Sequence, residues 1–259
     1  MLAARSINWT GTNMRTVMAS WHKGTAVLRG AAAIALLVLP ALAPAAGPAA
    51  ARTIVFFGDS LTAGYGLPDP DLQSYPAQIQ ARIDAEHLPW HVVNAGLSGE
   101  TSAGGVRRID WVLNQKLDIF FLELGANDGL RGTSTESTRS NLQVIIDRVR
   151  ARYPQARIVI AGMRMPPNMG PDFAEAFRAI FPDLAGKNHA TLVPFLLEGV
   201  AEVPGLNQGD GIHPNPAGAA RVALGVWKIL EPLLVAEPCA DDTRSQHVAG
   251  EATNALVTH

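Results

Sequence analysis

Five short apolar runs, each followed by a segment whose apolar residues recur at helical spacing, constrain this chain more than any other feature. The runs are 53–58, 91–95, 118–125, 157–163 and 191–196. Between and after them, Ile79 and Ile83 mark a helix over 74–86, and Val106, Ile109 and Leu113 mark one over 102–116. Leu142, Ile145, Ile146 and Val149 mark a third over 138–153, and Phe173, Phe177, Ile180, Phe181 and Leu184 a fourth over 172–187, which Pro182 is placed to end or kink. A last helix over 216–235 carries Val222, Val226, Ile229, Leu230 and Leu233. Strands buried on both faces read as continuous apolar runs, and alternation with helices makes the sheet parallel. The expected fold is therefore α/β: a three-layer α/β/α domain with a flavodoxin-like five-stranded parallel sheet in the order 2-1-3-4-5. The phenylalanine and valine stripes read as core faces rather than as cofactor contacts.

This pattern occupies residues 52–236. Before it, no acidic residue occurs ahead of Asp59, while Arg15, Lys23 and Arg29 precede an apolar stretch from Ala31 to Leu42 and then a run of small residues. A basic region, a short apolar region and an A-x-A-like site are the marks of a secretory signal peptide, expected to be cleaved after Ala51 or Ala45. The apolar stretch is shorter than the roughly 20 residues that span a bilayer, so an uncleaved anchor is the lesser reading. The expectation is a periplasmic or secreted protein without stable membrane insertion after cleavage. Removing four basic leader residues from the 21 Lys+Arg leaves 17 against 23 Asp+Glu, an acidic mature chain. Its basic residues are scattered, which argues against a nucleic-acid surface. Cys239 is the only cysteine, so neither an intrachain disulfide nor a multi-cysteine metal site can form. Residues 237–259 are polar and small, without an apolar face, and read as a disordered tail.

In a parallel sheet of this type, ligands bind beyond the carboxyl ends of the strands. The unusual residues fall there. The first run ends at Gly58-Asp59-Ser60, the second at Asn94-Ala95-Gly96-Leu97-Ser98-Gly99, and the third at Gly125-Ala126-Asn127-Asp128. Asp210 and His213 lie three apart in the loop before the last helix. A serine hydroxyl is a poor nucleophile until a base takes its proton, and that base needs an acid group to fix its tautomer. Ser60 is thus the candidate nucleophile, His213 the base and Asp210 its orienting acid. The tetrahedral intermediate needs preorganised donors, for which the N–H of Ser60, the N–H of Gly96 and the side-chain amide of Asn127 are the candidates. Each motif alone is weak. Gly-Asp-Ser often only caps a helix, and Asn127-Asp128-Gly129 is more often a turn. Asp59 and Asp128 read as loop-organising carboxylates. The other histidines of the mature chain lack a matching acid and glycine context. The segment 163–170 carries Met163, Met165, Pro166 and Met169, either an adaptable apolar wall for substrate or a plug at the core's edge.

Together, Gly58-Asp59-Ser60-Leu61, Gly96 within Asn94-Ala95-Gly96, Asn127 within Gly125-Ala126-Asn127-Asp128, and Asp210-Gly211-Ile212-His213-Pro214 resemble the four blocks of the GDSL, or SGNH, hydrolase family. Gly64-Tyr65-Gly66, Glu123-Leu124-Gly125 and above all Asn127–Gly132 are similar to its bacterial periplasmic thioesterase/protease/lysophospholipase and arylesterase branch. Ala126 stands where these relatives often carry glycine. Thr62 stands where a G-x-S-x-G elbow would have its second glycine, which sets the chain apart from α/β-hydrolases. The resemblance implies hydrolysis of acyl, aryl or lysophospholipid esters and thioesters through an acyl-enzyme on Ser60, without metal or cofactor, and a small-molecule substrate as partner. The alternatives are a carbohydrate O-deacetylase of the same family and a non-catalytic binding module on the same fold.

Overall fold

The computed structural model describes residues 51–236. The signal-peptide reading of the leader and the tail at 237–259 lie outside the described residues, apart from Ala51. The chain forms β1 (Arg52–Gly58), α1 (Ser60–Ala63), α2 (Pro70–Gln73), α3 (Tyr75–Ala85), β2 (Trp90–Gly96), α4 (Ser102–Val112), β3 (Ile119–Glu123), α5 (Ala126–Leu130), α6 (Thr135–Arg152), β4 (Arg157–Ala161), a 3-10 turn at Pro167–Met169, α7 (Pro171–Lys187), β5 (Thr191–Val193) and α8 (Pro216–Val235). The five strands make one parallel sheet in the order β2-β1-β3-β4-β5, as the alternating pattern predicts. The connections account for the layers. Crossovers between parallel strands are right-handed, so reversing the direction of travel across the sheet moves the helix to the other face. Accordingly α3 packs on α8, while α4 packs on α6 and α6 on α7.

The core sits where β1 and β3 are flanked on both sides. Phe56, Phe57, Phe120 and Phe121 are fully buried, and the Phe56 and Phe121 rings lie 4.7 Å apart, centre to centre. Each such ring contributes about 1.5–3 kcal/mol by leaving water. The edge strand β2, by contrast, is only partly covered. Helix starts follow local chemistry: Ser74, Thr101, Ser134 and Asn215 each accept an N–H from the first turn of α3, α4, α6 and α8. Pro182 neither ends nor replaces α7. It lies inside the helix on an exposed position, and the helix runs on to Lys187.

Strand register sets where the loops emerge. Gly58, at the end of β1, pairs with Gly96 of β2 on one side and Glu123 of β3 on the other. Three strand ends therefore finish level, and the loops beyond them open at one edge. The turn from β5 into α8, residues 194–215, returns over the same edge and is pinned there. Gln208 Nε2 donates to Tyr65 O at 2.7 Å and to Pro214 O at 3.0 Å. Among the described residues no helix is long and apolar enough to cross a membrane.

Candidate active site

Ser60 is the first residue of α1, one residue beyond the strand, and the intervening Asp59 caps that turn by accepting Leu61 N–H at 3.0 Å. From the opposite loop, His213 Nε2 lies 2.8 Å from Ser60 Oγ. His213 Nδ1 lies 2.6 Å from Asp210 Oδ2. Asp210 Oδ1 accepts two further N–H bonds, from Ile212 at 2.9 Å and His213 at 3.0 Å. Partial burial opposes its ionisation, but these bonds win and hold its carboxyl down at about 2. Asp210 is thus an anion at any pH near neutrality and fixes the proton of the ring on Nδ1. Nε2 then faces the serine with its lone pair. The Tyr65 ring covers the imidazole at 4.8 Å.

A cavity of about 880 Å³ opens beside Ser60 and His213. Its apolar wall includes Leu130, Met163, Met165, Pro166, Phe195 and Leu197. Met163 and Met165 are both wall and plug: they face the cavity and also belong to the buried core, with the Met165 sulfur lying directly over Gly129. Met169 packs against the core and is not among the residues lining the cavity, so its place in the substrate wall is not supported.

The oxyanion assignment needs a correction at Gly96. This residue is the last of β2; its N–H donates to Asn94 Oδ1 at 3.0 Å, and it does not line the cavity. It is glycine for a packing reason, because a Cβ there would overlap the backbone of Thr62 and Ala63 in α1. Three residues on, Gly99 does line the cavity, with φ +78, and its N–H has no protein acceptor among the described residues. The sequence carries both glycines. Which one reaches the site depends on how far β2 runs before it turns.

Asn127 also lines the cavity, from α5. Its Nδ2 donates to Asp59 Oδ2 and to Glu100 O, both at 3.0 Å, so both amide hydrogens are engaged. Glu100 is in turn ion-paired to Arg108, which also donates to Gly58 O at 3.2 Å and stacks over Phe57. Arg108 therefore ties the loop carrying Gly99 to the end of β1. Arg131 adds a bond to Gly99 O at 3.0 Å. Asp128 accepts Ser102 N and Ser102 Oγ at 2.7 and 2.6 Å, a structural part. Among the described residues no cluster of His, Cys, Asp and Glu could hold a metal ion.

Residues 56–221, which span Ser60, Gly99, Asn127, Asp210 and His213, match the model of the GDSL-like lipase/acylhydrolase family. The chain belongs to that family. Within it, the chain is 41% identical over 187 residues to esterase TesA of Pseudomonas aeruginosa, an alignment covering 72% of this chain and 91% of the relative. It is 38% identical to thioesterase 1/protease 1/lysophospholipase L1 of Escherichia coli over 72% of this chain and 86% of that one. Among solved structures, it is similar to the psychrotrophic esterase EstA from Pseudoalteromonas sp., described as inhibited by monoethylphosphonate. That match has 32% identity and a TM-score of 0.66, over 71% of this chain and 98% of that one.

Proposed function

We propose that this chain is a serine esterase that hydrolyses carboxylic esters and thioesters of acyl, aryl or lysophospholipid type through an acyl-enzyme on Ser60. The observation that carries the reading is the unbroken relay Ser60–His213–Asp210 opening onto an apolar cavity. Ser60 Oγ attacks the acyl carbon while its proton passes to His213 Nε2. The tetrahedral oxyanion takes hydrogen bonds from Ser60 N–H, Gly99 N–H and Asn127 Nδ2, the last by turning one hydrogen from its present acceptor. Each such donor is worth about 3–4 kcal/mol in the transition state. Collapse expels the alcohol or thiol, which takes the proton from His213, and water then repeats the sequence on the acyl-enzyme. Met163, Met165 and Pro166 are assigned to the acyl side of the cavity, since thioethers adapt to chains of different shape. A non-catalytic binding module would have no use for this relay.

Export completes the reading. The basic leader with its small-residue site supports cleavage near Ala51 and a periplasmic or secreted domain at 52–236, with 237–259 as a tail.

The test is covalent labelling by an ethyl phosphonate, with the mass increase mapped to Ser60, alongside turnover of aryl esters from acetyl to octanoyl. Ser60→Ala is expected to fold as wild type, to resist labelling and to lose ester turnover. Unchanged hydrolysis by that variant would overturn the reading. Strict preference for acetyl would instead indicate a deacetylase of small acyl groups.

A further inference from the structure

A carboxylate at the end of the most buried strand has no part in the Ser60–His213–Asp210 relay. Glu123 closes β3 with zero exposure. Its Oε2 accepts Asp59 N–H at 3.1 Å and the Thr62 hydroxyl at 2.8 Å. Those two residues stand one before and two after Ser60. Thr62 Oγ1 lies 2.7 Å from Tyr75 OH of α3, and Thr62 O accepts Asn94 Nδ2 at 2.9 Å from β2. The other carboxyl oxygen, Oε1, is buried with no hydrogen-bond partner. Gly58 must be glycine to admit this group, since a Cβ there would overlap Glu123 Oε2 and Thr62 Oγ1.

A buried carboxyl with an unpartnered oxygen is costly to a fold. A hydrophobic side chain in this strand position would avoid that cost. We propose that Glu123 is a positioning residue for the nucleophile: one carboxyl oxygen clamps the backbone before Ser60 and the side chain after it, setting the direction of Ser60 Oγ toward His213. Burial, and then the charge of Asp59, push the Glu123 carboxyl well above the usual range; the clamp itself is the pair of hydrogen bonds to Oε2. The inference rests on the serine-esterase reading and adds to it the residue that aims the serine.

The experiment measures the phosphonate labelling rate at Ser60, with kcat and KM on an aryl ester, for the wild type and for Glu123→Gln, Glu123→Ala, Thr62→Val and Thr62→Ser. A displacement of an ångström at the reacting atom costs on the order of 100-fold. Glu123→Ala is therefore expected to lower both the labelling rate and kcat by about 10- to 100-fold, with KM within about twofold. Glu123→Gln keeps an acceptor oxygen for Asp59 N–H and the Thr62 hydroxyl and restores both rates to within a few-fold of wild type. Thr62→Val, nearly isosteric, slows labelling while Thr62→Ser does not, which keeps the test valid should Glu123→Ala fail to fold. Two results would overturn the inference. One is an unaltered labelling rate in folded Glu123→Ala or in Thr62→Val. The other is a Gln variant as impaired as Ala, which would mean the charge matters. Failure of the wild type to label would instead sink the esterase reading itself.

Discussion

Replacing Asp210 by asparagine changes one atom and should disable the base without disturbing the loop. Asp210 Oδ1 accepts two N–H groups, from Ile212 and His213, and Oδ2 faces His213 Nδ1 at 2.6 Å. In asparagine the amide oxygen must take the Oδ1 place, because the NH2 group there would set donor against donor twice, at about 1 kcal/mol or more each. The NH2 group is then forced to face Nδ1. The imidazole answers by carrying its hydrogen on Nε2, so the atom 2.8 Å from Ser60 Oγ becomes a donor and can no longer take the serine's proton. Where a fully buried aspartate of such a relay is so replaced, kcat falls about 10⁴-fold. Asp210 is 38% exposed, so solvent screens part of its charge, while the tautomer effect remains whole. The expected loss is about 10³-fold in kcat/KM for an aryl ester, about 4 kcal/mol. Stability should change by less than about 1 kcal/mol, because both backbone bonds to Oδ1 survive. Asp210→Ala, which loses them, should be destabilised as well as inactive. An asparagine variant within tenfold of wild-type activity would refute the tautomer argument.

Gly96→Ala should destabilise the fold by about 1–3 kcal/mol, because the new methyl meets the α1 backbone rather than a movable side chain. Urea unfolding checks this, and a neutral result would return Gly96 to an open position. Stability should also depend on pH through the buried carboxyls. Glu123 is raised well above 4.5, and Asp59 is raised by burial from 3.8. The folded state therefore holds protons that the unfolded chain releases. The share of stability these two carboxyls contribute is greatest below about pH 4 and falls as pH rises through their folded-state values, by at most about 1.4 kcal/mol per pH unit for each proton so held. Glu123→Gln should remove the Glu123 share of that slope, and unfolding profiles at pH 5 to 8 that run parallel to wild type would contradict it.

Much of this was legible in the sequence because the decisive patterns are local. The five runs announce strands since both faces of β1, β3 and β4 are covered, and the 2-1-3-4-5 order is the one expected of a flavodoxin-like doubly wound sheet. Asp210 and His213 were readable as a pair because one loop carries both, three residues apart. Other features depend on where elements stop or on partners far away. The turns α1, α2 and α5 are too short to show a helical period. Gly96 and Gly99 look equivalent until the pairing of β2 with β1 places one on the strand and the other past it. Glu123 gave no sign of its surroundings, because its partners Asp59 and Thr62 lie more than 60 residues earlier. Thr62 itself showed only that a glycine elbow is absent. In the structure it is a fully buried link between Glu123 and Tyr75.

One part of the apolar wall hangs from a different part of the sheet than the proton relay. Ser60 follows β1 and His213 lies in the 194–215 loop, whereas Met163, Met165 and Pro166 sit between β4 and α7. The wall's segment ends at Gly170, a left-handed joint with φ +92 around which no atom crowds. Residues can therefore be gained or lost in 166–170 while the hydrogen bonds of the relay stay in place. A change of length there would reshape the cavity beside Ser60 from the β4 side alone, with Ser60, His213 and Asp210 keeping their present contacts.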